Sequence, residues 1–215
     1  MHEIAGTAVR SLLAERGRRR VLNSGEVLFF ETDRSTRVYE CLSGRIRLSV
    51  AAAAGRELLL DIELPGDVFG EVSAIDGGGR SATAVAMEPS VVIEMSGEDY
   101  LEAVRANPDL AIVSLRGLAR QLRQANARIC AGETETVAAR TARLLLDLSE
   151  RFGRTTPTGV CSDVPITQAD LAEWLGATRE ATSRALSELR RAGVITTARS
   201  MITVTNRSAL TTLAR

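Results

Sequence analysis

Two short stretches concentrate the residues able to do chemistry. The first, FGEVSAIDGGGRSATA at residues 69–84, sets Glu71 beside Gly70, runs through three consecutive glycines and then places Arg80 before Ser81. A carboxylate and a guanidinium framing bare backbone suit a small ligand that is anionic and bears hydroxyls. Arginine offers an anion a planar fork of donors, and a carboxylate accepts from a hydroxyl. A loose surface loop is the plainer alternative. The second stretch, ITQADLAEWLGATREATSRALSELRRAGVI at residues 166–195, clusters Arg179, Glu180, Ser183 and Arg184 outside the apolar positions of one helix. Arginine can bond both acceptors of guanine, and Glu can accept from the cytosine amino group. Thr167, Gln168, Thr178 and Ser183 can offer hydroxyl, amide and helix-terminal N–H groups to phosphates. A helical hairpin whose charges are merely solvated is the alternative here.

The elements that must position the second stretch are legible nearby. Thr167 is a good N-cap, and Asp170 three residues on completes a capping-box pattern. Leu171, Ala172, Trp174 and Leu175 form the apolar face of a short helix, and Gly176 supplies the turn. Thr178 caps a second helix with Ala181, Ala185, Leu186 and Leu189 inward, and Gly193 ends it. A small residue at Ala172, the glycine at 176 and a branched side chain at Thr182 give helix-turn-helix spacing. Residues 194–197 and 201–204 then read as two strands of a wing, with Arg199 near its tip as a phosphate contact.

The elements around the first stretch are different. From Val21 to Met95, short alternating runs (Ile46, Leu48, Val50; Leu58, Leu60, Ile62, Leu64; Val91, Ile93, Met95) are separated by Gly25, Gly44, Gly55 and Gly66. This pattern predicts an all-β sandwich or barrel with turns at those glycines. After Pro108 the period changes. Ala111, Leu115, Leu118, Leu122, Ala125 and Ile129 form a heptad seam, either a helix packed on its own domain or, more in keeping with its strictness, a parallel dimer helix. Gly132 is expected to interrupt it, with a hinge at 133–136. A second helix follows with Val137, Thr141, Leu144, Leu145, Leu148 and Phe152 on one face. Residues 153–159 read as a loop by composition. The expected division is 1–108, 109–136 and 137–215.

Composition narrows the function. The 215 residues contain a single histidine, His2, so catalytic triads, Cys-His pairs and the histidine cluster of a cupin-type metalloenzyme lack raw material. The reading is a non-enzyme without a metal. Three dispersed cysteines suggest small buried hydrophobes rather than disulfides. No apolar run approaches the ~20 residues of a membrane span, and no signal peptide is evident, so a cytoplasmic protein is expected. Net charge is zero, but residues 1–136 carry 16 Arg against 20 acids and residues 137–215 carry 11 Arg against 7. A basic C-terminal third is consistent with a polyanionic partner.

In this order the pieces resemble the bacterial regulators related to the cyclic-AMP receptor protein and the fumarate-nitrate regulator (CRP/FNR). The resemblance runs from about Leu22 to Val204 and is anchored by FGEVSAIDGGGRSATA and GATREATSRAL. It implies an α+β architecture: an N-terminal cyclic-nucleotide-binding β-roll, a long dimerisation helix and a C-terminal winged helix-turn-helix. It implies a cyclic nucleotide as allosteric ligand, cyclic AMP before cyclic GMP. Gly70, Glu71 and Val72 would open a short helix facing the cyclic phosphate. Arg80 and Ser81 would bond the phosphate, Glu71 the ribose hydroxyl, and Leu48 and Leu60 would line the apolar side. Ala125 and Asn126 occupy the two positions that read the base. Ala125 lacks a hydroxyl there, and Asn126 either contacts the base or sets the helix register. The early hairpin turn, Glu31-Thr32-Asp33, lacks its usual glycine, so a different turn shape is expected. Arg179, Glu180 and Arg184 would read TGTGA-like half-sites of an inverted repeat in double-stranded DNA. The implied assembly is a homodimer that also meets RNA polymerase, and no membrane is involved.

Overall fold

The computed structural model describes residues 16–52, 55–162, 166–198 and 201–214. The chain divides into two compact units between Arg123 and Gln124.

The first unit is built on eight strands: β1 (Arg18–Leu22), β2 (Val27–Phe29), β3 (Val38–Ser43), β4 (Ile46–Ala51), β5 (Glu57–Glu63), β6 (Val68–Phe69), β7 (Thr83–Ala86) and β8 (Ser90–Met95). They form two antiparallel four-stranded sheets, ordered β1-β8-β3-β6 and β2-β7-β4-β5. The alternating runs read from the sequence are β4, β5 and β8. Gly25, Gly44, Gly55 and Gly66 all have positive φ, as turn residues between these strands require. Between the sheets lies a core that includes Leu22, Leu28, Phe29, Tyr39, Cys41, Ile46, Phe69 and Val92. Two helices, α1 (Glu71–Asp76) and α2 (Gly97–Ala106), add Ala74, Tyr100 and Ala103 to a second cluster with Val38, Ile93 and Met95. Thr32 replaces the expected glycine without changing the backbone that glycine adopts freely, because its φ is 69. A β-branched residue therefore bears left-handed strain at this turn.

Helix α3 runs from Pro108 to Thr134, across the division between the units. It passes through Gly132 without a break, contrary to the expected interruption. A single glycine costs a helix only about 1 kcal/mol, too little to end one this long. The break comes at Glu135–Thr136, where Thr136 caps α4 (Val137–Phe152) by accepting from the Ala139 N–H.

In the second unit, α4 packs with α5 (Gln168–Leu175), α6 (Arg179–Arg191) and α7 (Arg207–Leu213). A four-stranded sheet ordered β11-β12-β10-β9 comprises β9 (Gly153–Thr156), β10 (Gly159–Ser162), β11 (Ile195–Ala198) and β12 (Met201–Val204). Residues 153–162 thus form a hairpin, where composition suggested a loop. Their glycines serve close approach: a Cβ on Gly159 would lie 2.1 Å from the Val204 carbonyl oxygen. Pairing of β10 with the wing strand β12 supplies what local sequence does not show.

Candidate functional site

In the first unit the chain turns sharply between β6 and α1. Gly70, with φ 77, stands before α1, and a Cβ there would meet Arg80 Nη1 at 2.8 Å and the Arg37 carbonyl at 3.2 Å. Only glycine fits this approach without strain. Beyond the Gly77–Gly79 loop, Arg80 returns to the same place and is 3% exposed. Its Nη1 donates to the Gly70 carbonyl (2.7 Å) and to Ser73 Oγ (2.9 Å). Its Nη2 donates to the Arg37 carbonyl (2.7 Å) and to Ser35 Oγ (3.3 Å). The guanidinium lies 4.2 Å from the Phe29 ring centre and 5.5 Å from that of Tyr39, and Tyr39 stacks on Phe69. The Nε is buried and has no hydrogen-bond partner.

Burial lowers the Arg80 pKa from its ordinary value, against the pull of Tyr39 and the nearby carboxylates. Glu71 begins α1, is also buried, and is pushed up by desolvation, with Arg80 opposing. Val72 follows, half-buried, whereas Ser81 is exposed. Leu48 packs half-buried against the core between the sheets. Leu60 is the extra residue of a β-bulge, since Leu48 pairs with Asp61 and Ser49 with Leu59.

One donor of this seat is left without a partner among the described residues. Four donations occupy the Nη groups of Arg80 and leave Nε–H as its unspent donor, while the missing Cβ of Gly70 lets the backbone come close to the guanidinium. Gly70, Glu71 and Arg80 are brought together, and Ser81 lies next in the chain. The residues that seat Arg80 (Phe29, Ser35, Arg37, Tyr39 and Ser73) were not identified from sequence. The one available signal was the scarcity of aromatics, 3% of the chain, since Phe29, Tyr39 and Phe69 stand together here.

Along α3, Ala125 and Asn126 are both exposed. The seam also contains exposed large apolar side chains, Leu115, Leu122 and Ile129, spaced by seven. The cysteines depart from expectation. Cys41 is buried, and its thiol is pushed up to about 12 by desolvation, but Cys161 is half-buried and Cys130 exposed.

In the second unit the two helices of the motif are capped at both relevant ends. Thr167 accepts from the Asp170 N–H, while Asp170 accepts from the Thr167 N–H at 2.9 Å. Gly176 turns the chain with φ 59, and Thr178 accepts from the Ala181 N–H to start α6. Thr182, Ala185, Leu186 and Leu189 are the buried face of α6; Ala181 is only half-buried. Arg179, Glu180 and Arg184 are exposed, Ser183 is half-buried, and Thr167, Gln168 and Thr178 are exposed. Arg199 lies outside the described residues. Two arginines fix the motif from behind: Arg140 Nη1 donates to the Leu175 carbonyl at 2.9 Å, and Arg128 lies 5.9 Å from the Trp174 ring centre.

Among the described residues there is no cluster of ligands for a metal, and no helix is long and apolar enough to cross a membrane. Residues 19–107 match the family model of the cyclic nucleotide-binding domain, and residues 139–213 that of the Crp-like helix-turn-helix domain. The chain is 32% identical over 80% of its length to a CRP-like cAMP-activated global transcriptional regulator of Mycobacterium tuberculosis, covering 76% of that protein. It is 31% identical over 86% of its length to a global nitrogen regulator of Synechocystis, covering 83% of it. The structure of FixK2 from Bradyrhizobium japonicum matches 93% of this chain and 98% of that one, with a TM-score of 0.80 at 25% identity. These relatives are regulators, in agreement with the expectation of a non-enzyme. The chain is a member of the CRP/FNR family of DNA-binding transcriptional regulators, with a cyclic nucleotide-binding domain followed by a Crp-like helix-turn-helix domain.

Proposed function

We propose that the chain acts as a homodimer that binds a cyclic nucleotide in the β-roll, cyclic AMP before cyclic GMP, and a TGTGA-like inverted repeat through α6. The observation that carries the ligand reading is the unspent Nε–H of Arg80, buried in the seat formed with Gly70 and Glu71. When bound, the nucleotide supplies a phosphate charge and a ribose hydroxyl. Arg80 and Ser81 hold the phosphate, Glu71 accepts from the hydroxyl, Val72 belongs to the same wall, and Leu48 and Leu60 provide the apolar side. Asn126 meets the base without help from Ala125. The labour divides as 1–108 for the ligand, 109–136 for the dimer and 137–215 for DNA.

Exposed Leu115, Leu122 and Ile129 support dimerisation, because a row of large apolar side chains at heptad spacing gains by burial against its own copy. Arg179, Glu180 and Arg184 read bases, while Thr167, Gln168, Thr178, Ser183 and Arg199 hold phosphates. RNA polymerase is the further partner. Ligand favours the DNA-competent state only by binding it better, with a coupling of roughly 1–3 kcal/mol.

Calorimetric titration of the full chain with cyclic AMP and cyclic GMP tests the ligand reading. Ser81→Ala serves as the variant because Arg80 also holds the fold. Micromolar binding weakened in the variant supports it; absence of heat with either nucleotide overturns it. Mobility shift on a TGTGA palindrome, with Arg184→Ala as control, tests the DNA reading. A second reading keeps the DNA function and gives the β-roll another ligand or none. It is favoured by the four bonds that Arg80 already makes within the chain, and silent calorimetry with intact DNA binding selects it.

A further inference from the structure

A cleft of about 720 Å³ opens in the first unit between residues 34–37, the glycine loop 77–79 and Ser96. It lies within the size range of small-ligand sites, but its lining contains no apolar side chain and no carboxylate. The lining groups are arginines, hydroxyls and glycine backbone, so it favours a ligand rich in acceptors.

Its internal bonds decide which donors remain. The Gly78 N–H is spent on Asp76 Oδ1 (2.8 Å), Ser96 Oγ on Asp99, and Arg37 Nη1 on Glu94 (3.3 Å). Ser35 Oγ accepts from Arg80 Nη2 (3.3 Å) and from the Arg37 N–H (3.5 Å), which leaves its proton to donate. Arg34 is exposed and makes no ion pair or hydrogen bond among the described residues. One uncompensated guanidinium therefore stands beside a hydroxyl donor.

The walls are also held in place. Thr32 N–H donates to the Arg80 carbonyl (2.9 Å), Arg80 N–H donates to the Asp33 carbonyl (3.0 Å), and Ser73 Oγ donates to the Ser35 carbonyl (2.9 Å). A Cβ on Gly79 would press on the Thr32 carbonyl at 3.0 Å, so a bare loop is required there.

We propose that this cleft is a second ligand site, separate from the nucleotide seat, for a polar phosphate monoester. Arg34 pairs with the phosphoryl oxygens, and the Ser35 hydroxyl donates to them. A tetrahedral group with several acceptors can take the Arg34 fork and the neighbouring Ser35 hydroxyl at once, which suits it better than a planar carboxylate. No ring lines the cleft to stack a base, so the remainder of the ligand is polar, as in a sugar phosphate. Ser35 Oγ and the Arg37 carbonyl also hold Arg80 Nη2, so occupancy bears directly on the Arg80 seat.

The test is a titration of the ¹⁵N-labelled full chain with inorganic phosphate and with glucose 6-phosphate, using chloride at matched ionic strength as the control. Saturable shifts are expected at the amides of residues 35–37 and 77–79, with affinity about tenfold weaker in Arg34→Gln. Arg34 is exposed and unpaired, so this variant keeps the fold. Absence of saturable shifts at those amides, or equal affinity in the variant, overturns the site. Cyclic-AMP titration of the same variant is expected to match that of the unaltered chain, which separates failure of this site from failure of the nucleotide reading.

Discussion

Arg80 Nη1 donates to the carbonyl of Gly70 at 2.7 Å, so the arginine and the glycine of the candidate ligand seat are joined within the chain itself. The guanidinium is a brace within the chain as well as the binding group proposed above. It ties the loop before β3 to the start of α1 while stacking on Phe29. Arg80→Ala is expected to lower stability by about 3 kcal/mol, since it leaves two carbonyls short of a donor and opens a void. Gly70→Ala is expected to cost about 2 kcal/mol through its left-handed backbone and the contact with Arg80. Denaturant melts of both variants measure this, and a neutral Arg80→Ala would refute the bracing role.

Burial of Glu71 gives stability a pH dependence. Its folded pKa is raised above the ordinary 4.5, so the folded state holds the proton more tightly than the unfolded chain. The resulting stabilisation is complete below the unfolded value and is lost as pH rises through the higher folded value. Glu71→Gln stays neutral throughout, so its gain in Tm relative to the unaltered chain is expected to be larger at pH 7 than at pH 4. Parallel melts at the two values decide the sign.

Thr32 occupies a left-handed conformation with φ 69. Thr32→Gly removes that strain, roughly 1–2 kcal/mol, and returns part of it through the greater freedom of glycine in the unfolded chain. A net stabilisation of about 1 kcal/mol is expected in chemical denaturation.

The Thr182 hydroxyl is buried without a partner on the inner face of α6. Thr182→Val keeps the shape and removes the unpaired group, which is expected to stabilise the chain by about 1 kcal/mol. DNA affinity is expected to be unchanged, because this side chain is fully buried. Thermal melting and mobility shift together check both halves.

Leu122 is 62% exposed at the middle of the α3 seam. In the proposed homodimer Leu122→Glu would place two like charges in the apolar seam, and at least a tenfold weakening of association is expected. Sedimentation over a concentration series reads it. Dimerisation as strong as that of the unaltered chain would place the interface elsewhere.

The sequence by itself determined the helix-turn-helix, because its specification is local. Thr167, Asp170, Gly176 and Thr178 cap or turn within three or four residues of the groups they satisfy, and the buried face of α6 repeats at helical spacing. It also determined the strands β4, β5 and β8, whose alternation is local, and the juxtaposition of Gly70 with Glu71. Other features had no local signature. The hairpin at residues 153–162 depends on pairing with β12, and α3 continues through Gly132 because neighbouring turns outweigh one unfavourable residue. Above all, only the tertiary structure decided the state of Arg80. Its partners come from β2, β3, the loop between them and α1, and no periodicity links such positions. Burial then made their hydrogen bonds obligatory, because an unpaired guanidinium inside a protein is costly.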